Sequence, residues 1–291
     1  MSGSLWQTIV TREAEALVRE LGIDALPVCP FSIAQVLDIE VQPLPNNTRP
    51  GISGMLLHHN GNFGILYSTY MDNKGFERFT ISHEIGHYWL PGHPESVFND
   101  GVHTSYAGFN STNRFELEAD HFAAGLLMPG FLFDPAMDEA GIGLDAIEIL
   151  HAKCVTSLTA TAIRYAQHTS DSAAIVVSTG HALDYCFMSD SLREIRGLDW
   201  LRKGSGLPRK SVTYRFNCDI SNVTNSERMN GNSSLQDWFG GQLKLELSEE
   251  VVGLGSYGRT LTVLTANNLP DAEEIEEEEE LIDSWEPKFR R

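Results

Sequence analysis

The stretch FTISHEIGHYWL, from Phe79 to Leu90, sets a glutamate between two histidines that stand four residues apart. On a helix, residues four apart project from one face, about 6 Å apart along the axis, so His83 and His87 can turn both imidazoles to a single ion. Zinc suits that pair, because it binds histidine nitrogen at about 2.0–2.1 Å and in catalytic sites takes three protein ligands, leaving a position for water. Glu84 follows the first histidine and can reach the water on that open side. There it would take the water's proton as general base and hand it to a leaving amine. The plainer alternative is a helix with two solvated or core histidines, since H-E-x-x-H arises by chance in roughly one sequence in a hundred of this length. A third ligand decides between the two.

The segment ELEAD supplies three carboxylates, Glu116, Glu118 and Asp120. Glu116 and Asp120 are four apart and share a helix face, so one can bind an ion while the other accepts a hydrogen bond from a ligand histidine's free ring N–H. Glu118 is rotated by about 160–200° from both. The spacing therefore selects Glu116 as ligand and Asp120 as the residue that orients a histidine. A competing role for Glu116 is a capping box with Asn113, three residues earlier. An oxyanion formed during hydrolysis needs a stabilising group, and Tyr106 and His103 are candidates, with ordinary loop residues as the plainer reading of both.

These residues must be carried by elements. Residues 5–21 read as an amphipathic helix, with Leu5, Ile9, Ala14, Leu17 and Leu21 near helical spacing. FSIAQVLDIEVQPL reads as a short helix running into a strand, and Ile52 to Ser68 as a β-hairpin around HHNGN. The histidine helix is expected to start after Asp72 or Asn73 and to end at Pro91, which lacks a backbone donor. Gly92 to Asn113, rich in Gly, Pro, Ser, Asn and His, reads as a long loop. In the next helix Phe115, Ala119, Phe122, Ala123, Leu126 and Leu127 fall on one face, and Pro129 closes it. LDAIEILHAKCVTSLTATAIRYAQHTSD has helix-turn-helix form, with a turn near Val155 and Thr156 and a second helix capped by Ser157. From Ala173 onward AAIVVS, SVTYRF, LKLEL and TLTVLT alternate with period two and predict a mainly β second domain.

The chain has 291 residues and 42% hydrophobic content, enough for two compact domains. Charges recur through the first thirty residues and no apolar run approaches a membrane span, so neither secretion nor membrane insertion is expected. Cys29, Cys154, Cys186 and Cys218 lie far apart with no C-x-x-C pair, which fits a reducing compartment and buried or incidental thiols. A formal charge of −19 repels phosphate backbones and disfavours direct binding to nucleic acid. Residues 271–291 carry a net −7 of it, and EEIEEEEE has the composition of a solvated, disordered tail.

RFTISHEIGHYWL followed by FELEADHFAAGLLMP resembles the ImmA/IrrE family of zinc metallopeptidases, whose pattern is H-E-x-G-H and then E-x-E-A-(N/D)-x-F-A-A-x-L-L-M-P. The resemblance implies that His83, His87 and Glu116 are zinc ligands and Glu84 the catalytic base. It continues through VTSLTATAIRYAQ, similar to the helix-turn-helix segment of longer members, and SDSLREIRGLDWLRKGSGLP, similar to their GAF-like, sensor-type region. It implies an α+β chain: a zincin-like metallopeptidase domain over residues 1–135, a helix-turn-helix-like segment over 136–169, a GAF-like α/β domain over 170–268 and the acidic tail over 269–291. Such proteins act in the cytoplasm and cleave helix-turn-helix repressors, switching on stress-response or mobile-element genes. The implied partners are a protein substrate and a small-molecule ligand of the C-terminal region. The hairpin strand FGILYS could receive an extended substrate by strand addition. Two rivals remain: a DNA-binding regulator built on residues 145–168, and a ligand-sensing regulator with a non-catalytic metal site. The first is weakened because Leu158 to His168 offers only Arg164 as a fixed cation. The basic residues Arg193, Arg196, Arg202, Lys203, Arg209, Lys210 and Arg215 keep it open.

Overall fold

The computed structural model describes residues 3–45, 51–70, 73–106 and 113–266 of the chain. They are mixed α+β and divide into two compact units, Met1–His168 and Thr169–Arg291. No described helix is long and apolar enough to cross a membrane. The expected acidic tail and a helix start at Asp72 lie outside the described residues.

The first unit begins with α1 (Gly3–Glu20), α2 (Pro30–Val36) and β1 (Ile39–Pro43). The buried stripe of α1 is Val10, Ala14, Leu17 and Val18, while Leu5 and Ile9 are exposed. Helical spacing alone includes both in the apolar stripe, but the face that meets a partner is set by packing. β2 (Ile52–His59) and β3 (Asn62–Tyr67) form the expected antiparallel hairpin. Asn60 and Gly61 turn it with positive φ at both positions, as a two-residue loop with native strand twist requires. α3 (Lys74–Trp89) follows, and the Asn73 side chain caps it by accepting from the Phe76 amide at 3.1 Å.

Between α3 and α5 the chain is not the structureless loop its composition suggested. It contains α4 (His93–Val97) and β4 (Val102–Tyr106). β4 pairs with β2 and gives a four-stranded sheet in the order β1-β3-β2-β4. β3 is therefore interior, its edges taken by β1 and β2, and FGILYS cannot receive a further strand as expected. Then come α5 (Arg114–Leu127), α6 (Gly130–Ala140), α7 (Gly143–Cys154) and α8 (Leu158–His168). α7 and α8 are joined by a turn at Val155 in the left-handed region, and Ser157 caps α8 by accepting from the Ala160 amide.

α3 lies between the sheet and α5, with Ile81 and Ile85 fully buried. α5 approaches closely because residue 86 is glycine: a Cβ there would sit 3.3 Å from the Ala119 Cα and 3.1 Å from the Phe122 ring. The start of α3 is held by the α7–α8 turn. Arg78 donates to the carbonyls of Val28, Val155 and Cys154, and a Cβ on Gly75 would meet the Thr156 backbone at 2.8 Å. Glu15 of α1 accepts from Arg164 of α8 at 3.0 Å and from the Gly130 amide at 2.9 Å.

The second unit is a five-stranded antiparallel sheet in the order β6-β5-β9-β8-β7. Its strands are β5 (Ala173–Thr179), β6 (Ala182–Met188), β7 (Arg228–Ser234), β8 (Glu246–Gly253) and β9 (Thr260–Ala266). Its helices are α9 (Asp190–Arg193), α10 (Val212–Asn217), α11 (Ile220–Thr224) and α12 (Leu235–Phe239). AAIVVS and TLTVLT are strands as expected, but only the last two residues of LKLEL lie in β8. SVTYRF is the helix α10 and not a strand. Ser211 caps it by accepting from the Tyr214 amide, and Val212, Thr213 and Phe216 form its buried side, so capping and tertiary contacts override β propensity. The four cysteines are free; Cys154 is buried and Cys218 exposed.

Candidate metal centre

His83 and His87 project from α3 with their Nε2 atoms 3.0 Å apart. Glu116, from the first turn of α5, places Oε2 3.3 Å from His83 Nε2 and Oε1 3.5 Å from His87 Nε2. His103 of β4 brings its Nε2 to 3.3 Å from Glu116 Oε1, and all four residues offer one ligand atom within 4.8 Å of one another. Donors at 2.0–2.1 Å around a tetrahedral ion are separated by about 3.3 Å, so this set fits one divalent ion. Imidazole and carboxylate are also the donor types such ions take. The Asn113–Glu116 capping box does not use this carboxylate, which faces the histidines; the Asn113 side chain accepts from the Phe115 amide instead.

Sheet register brings His103 in. In the antiparallel β2–β4 pair Leu56 faces His103 and Gly54 faces Ser105, and opposed residues share a face. Leu56, His103 and Ser105 are all buried. Alternation along β4 puts Tyr106 on the other face, 67% exposed, so the structure takes it out of the cluster that His103 joins.

Glu84 is fully buried, and neither carboxylate oxygen has a hydrogen-bond partner. Burial pushes its pKa up, against the opposing charges of His83 and His103 and the nearby Ser105 hydroxyl. Gly54 makes room for it: a Cβ there would lie 2.7 Å from Glu84 Oε1 and 2.6 Å from Thr80 Cγ2. Burying Ile81, Ile85 and Phe122 contributes roughly 1.5–3 kcal/mol each, which offsets an unpartnered buried carboxylate.

Each α3 histidine is held from behind. His83 Nδ1 donates to Asp120 Oδ1 at 2.9 Å. Burial alone would lower the His83 pKa, but hydrogen bonds to Asp120 and Glu116 carry it up to about 10. Burial lowers the His87 pKa, reinforced by the neighbouring His83 and His103 charges. Burial would raise the Glu116 pKa, yet hydrogen bonds from His103 and His83 hold it well below the usual carboxylate range. His87 Nδ1 lies 3.1 Å from His93 Nδ1 of α4, and His93 Nε2 lies 2.9 Å from Glu118 Oε2. Helical spacing gives no signal for His93, which follows a proline turn and keeps no helical register with His87.

Residues 34–147, which contain every residue of this cluster, match the family model of the IrrE N-terminal-like domain, peptidase M78. This segment is an IrrE-like domain. Its family is one of metallopeptidases, and the His/Glu donor set in the IrrE-like domain agrees with metal dependence. No curated protein matches the chain. Among solved structures, a Mycobacterium tuberculosis transcriptional regulator has a similar fold, with a TM-score of 0.54 at 13% identity. That match covers 89% of this chain and 75% of the other.

Proposed function

We propose that this protein is a zinc-dependent endopeptidase of the cytoplasm whose substrate is a helix-turn-helix transcriptional repressor, cleaved to release stress-response or mobile-element genes. One observation carries the reading: a buried Glu84, with no donor at hydrogen-bond geometry, follows His83 of the His83/His87/His103/Glu116 donor set. In this reading His83, His87 and Glu116 hold the ion within a zincin-like arrangement. Zinc, when bound, supplies a Lewis acid that acidifies water and polarises a peptide carbonyl. Glu84 takes a proton from water and passes it to the leaving amine. Asp120 fixes the His83 tautomer. His103, beside the cluster and 3.2 Å from the Ser105 hydroxyl, donates to the oxyanion. β4 is paired only with β2 among the described strands, so its outer edge is where an extended substrate would add.

The domain division follows the same reading: peptidase over 1–135, helix-turn-helix-like segment over 136–169, and over 170–268 a GAF-like domain that takes a small-molecule signal. α8 is not a DNA-reading helix in this scheme, since Arg164 is buried and paired with Glu15. A second reading, a ligand-sensing regulator with a non-catalytic metal, has one observation in its favour. If His103 is a fourth ligand, the site is closed, as structural sites are. The test is to incubate the full chain with the repressor encoded beside its gene, with zinc or with chelator. A zinc-dependent cut supports the peptidase; an intact repressor with zinc-loaded protein favours the regulator.

A further inference from the structure

The two α3 histidines are supported differently. His83 reaches a carboxylate directly, whereas His87 reaches one through a second imidazole: His87 Nδ1 to His93 Nδ1 at 3.1 Å, and His93 Nε2 to Glu118 Oε2 at 2.9 Å. His93 is 1% exposed and has no other ring nitrogen to spare. We infer that His93 and Glu118 are positioning residues that lock His87 in the tautomer whose Nε2 lone pair faces the metal cluster. The inference rests on reading that cluster as a metal centre.

The direction of the chain follows from donor chemistry. An ionised carboxylate only accepts, so His93 Nε2 carries the hydrogen that meets Glu118. Arg114 holds that carboxylate in place, with Nε donating to Oε1 at 2.6 Å. A neutral His93 then has a bare Nδ1, which can only accept, so His87 Nδ1 is the donor. The remaining nitrogen, His87 Nε2, is left as the lone pair that points to His83 Nε2 and Glu116. The fold makes this possible with a tight reversal after α3. Gly92 takes the left-handed region, φ +80°, and the His93 amide donates back to the Leu90 carbonyl at 3.2 Å. Glu118, on the side of α5 turned away from Glu116, is thus aimed at His93 by the same rotation that keeps it out of the ligand set.

The test measures zinc affinity of the metal-stripped full chain by chelator competition in the wild type, His93→Leu, His93→Gln and Glu118→Ala. His93→Leu and Glu118→Ala are expected to weaken zinc about 10–100-fold. His93→Gln, whose amide can both accept and donate, is expected to restore most of the loss. Wild-type affinity in His93→Leu would overturn the inference alone, whereas a wild type that takes up no zinc would overturn the metal centre and the inference with it. Should His93→Leu fail to fold, ring ¹⁵N spectra of the zinc-free wild type decide. They should show hydrogen on Nδ1 of His87 and on Nε2 of His93; the opposite tautomer at His87 overturns the inference.

Discussion

Glu84 on α3 and Glu249 on β8 are both fully buried, one in each unit, and their surroundings treat them oppositely. Glu249 accepts from the Thr213 amide at 2.7 Å, from the Thr213 hydroxyl at 2.6 Å and from Trp238 Nε1 at 3.4 Å. It lies on the same face of β8 as Leu247 and Val251, which belong to two separate apolar clusters, and it ties α10 and α12 to that face. Glu84 has no such set of donors: none meets its oxygens at hydrogen-bond geometry, and only the Ser105 hydroxyl is near enough to oppose the rise in its pKa. A buried carboxylate whose lone pairs are satisfied by its own fold serves the fold, while one left unsatisfied beside a metal-type donor set is kept for a guest.

The sharpest way to break this contrast is Glu84→Gln. The expected result is a loss of cleavage rate of about 10²–10⁴-fold with zinc retained, since Glu84 is not among the donor residues. A variant that cleaves normally would remove Glu84 from the chemistry. The next effect is that of the guest itself: zinc at a hundred times its Kd should stabilise the first unit by about 2.7 kcal/mol. Thermal unfolding with and without chelator reads this shift, and Glu116→Ala should abolish it.

Glu249→Ala should do the converse, leaving buried donors unpaired and destabilising the second unit by about 1–3 kcal/mol. Denaturant unfolding measures this, and zinc affinity in the same variant should be unchanged. The last effect, at most about 1.4 kcal/mol per pH unit, is a pH dependence. With its pKa carried up to about 10, His83 keeps a proton in the metal-free protein that zinc must displace. Apparent zinc affinity should therefore climb as pH rises toward that value, with up to one proton released per ion, measured by calorimetry in buffers of different ionisation enthalpy. The same shift stabilises the metal-free protein fully below the unfolded histidine pKa near 6.5 and is lost as pH rises through about 10. Affinity that falls with pH over this range would refute the assigned protonation.

Much of the centre was legible because helical spacing is local. His83, Glu84 and His87 needed only one helix, and Glu116 with Asp120 only one more, so each pair could be placed on a face before the helices were brought together. Helical spacing turns Glu118 away from Glu116, but only the structure puts His93 within reach of it. β4 was hidden because five residues, VHTSY, sit in a stretch of loop composition. Without β4, His103 had no register and Tyr106 looked equivalent to it. SVTYRF carried the alternation of a strand, and nothing local revealed the Ser211 cap or the buried Thr213–Glu249 bond that make it helical.

The sequence by itself determined which side chains can face a common point along one helix, and hence that two imidazoles and a carboxylate were available to an ion. That information lies in a period of 3.6 residues and survives without any partner element. Only the tertiary structure decided what surrounds them: the β2–β4 register that delivers His103, the small Gly54 that leaves space for Glu84, and the turn at Gly92 that returns His93 to the back of His87. Each of these depends on contacts between elements far apart in the chain or across a turn, where position is set by packing and hydrogen bonding and not by spacing.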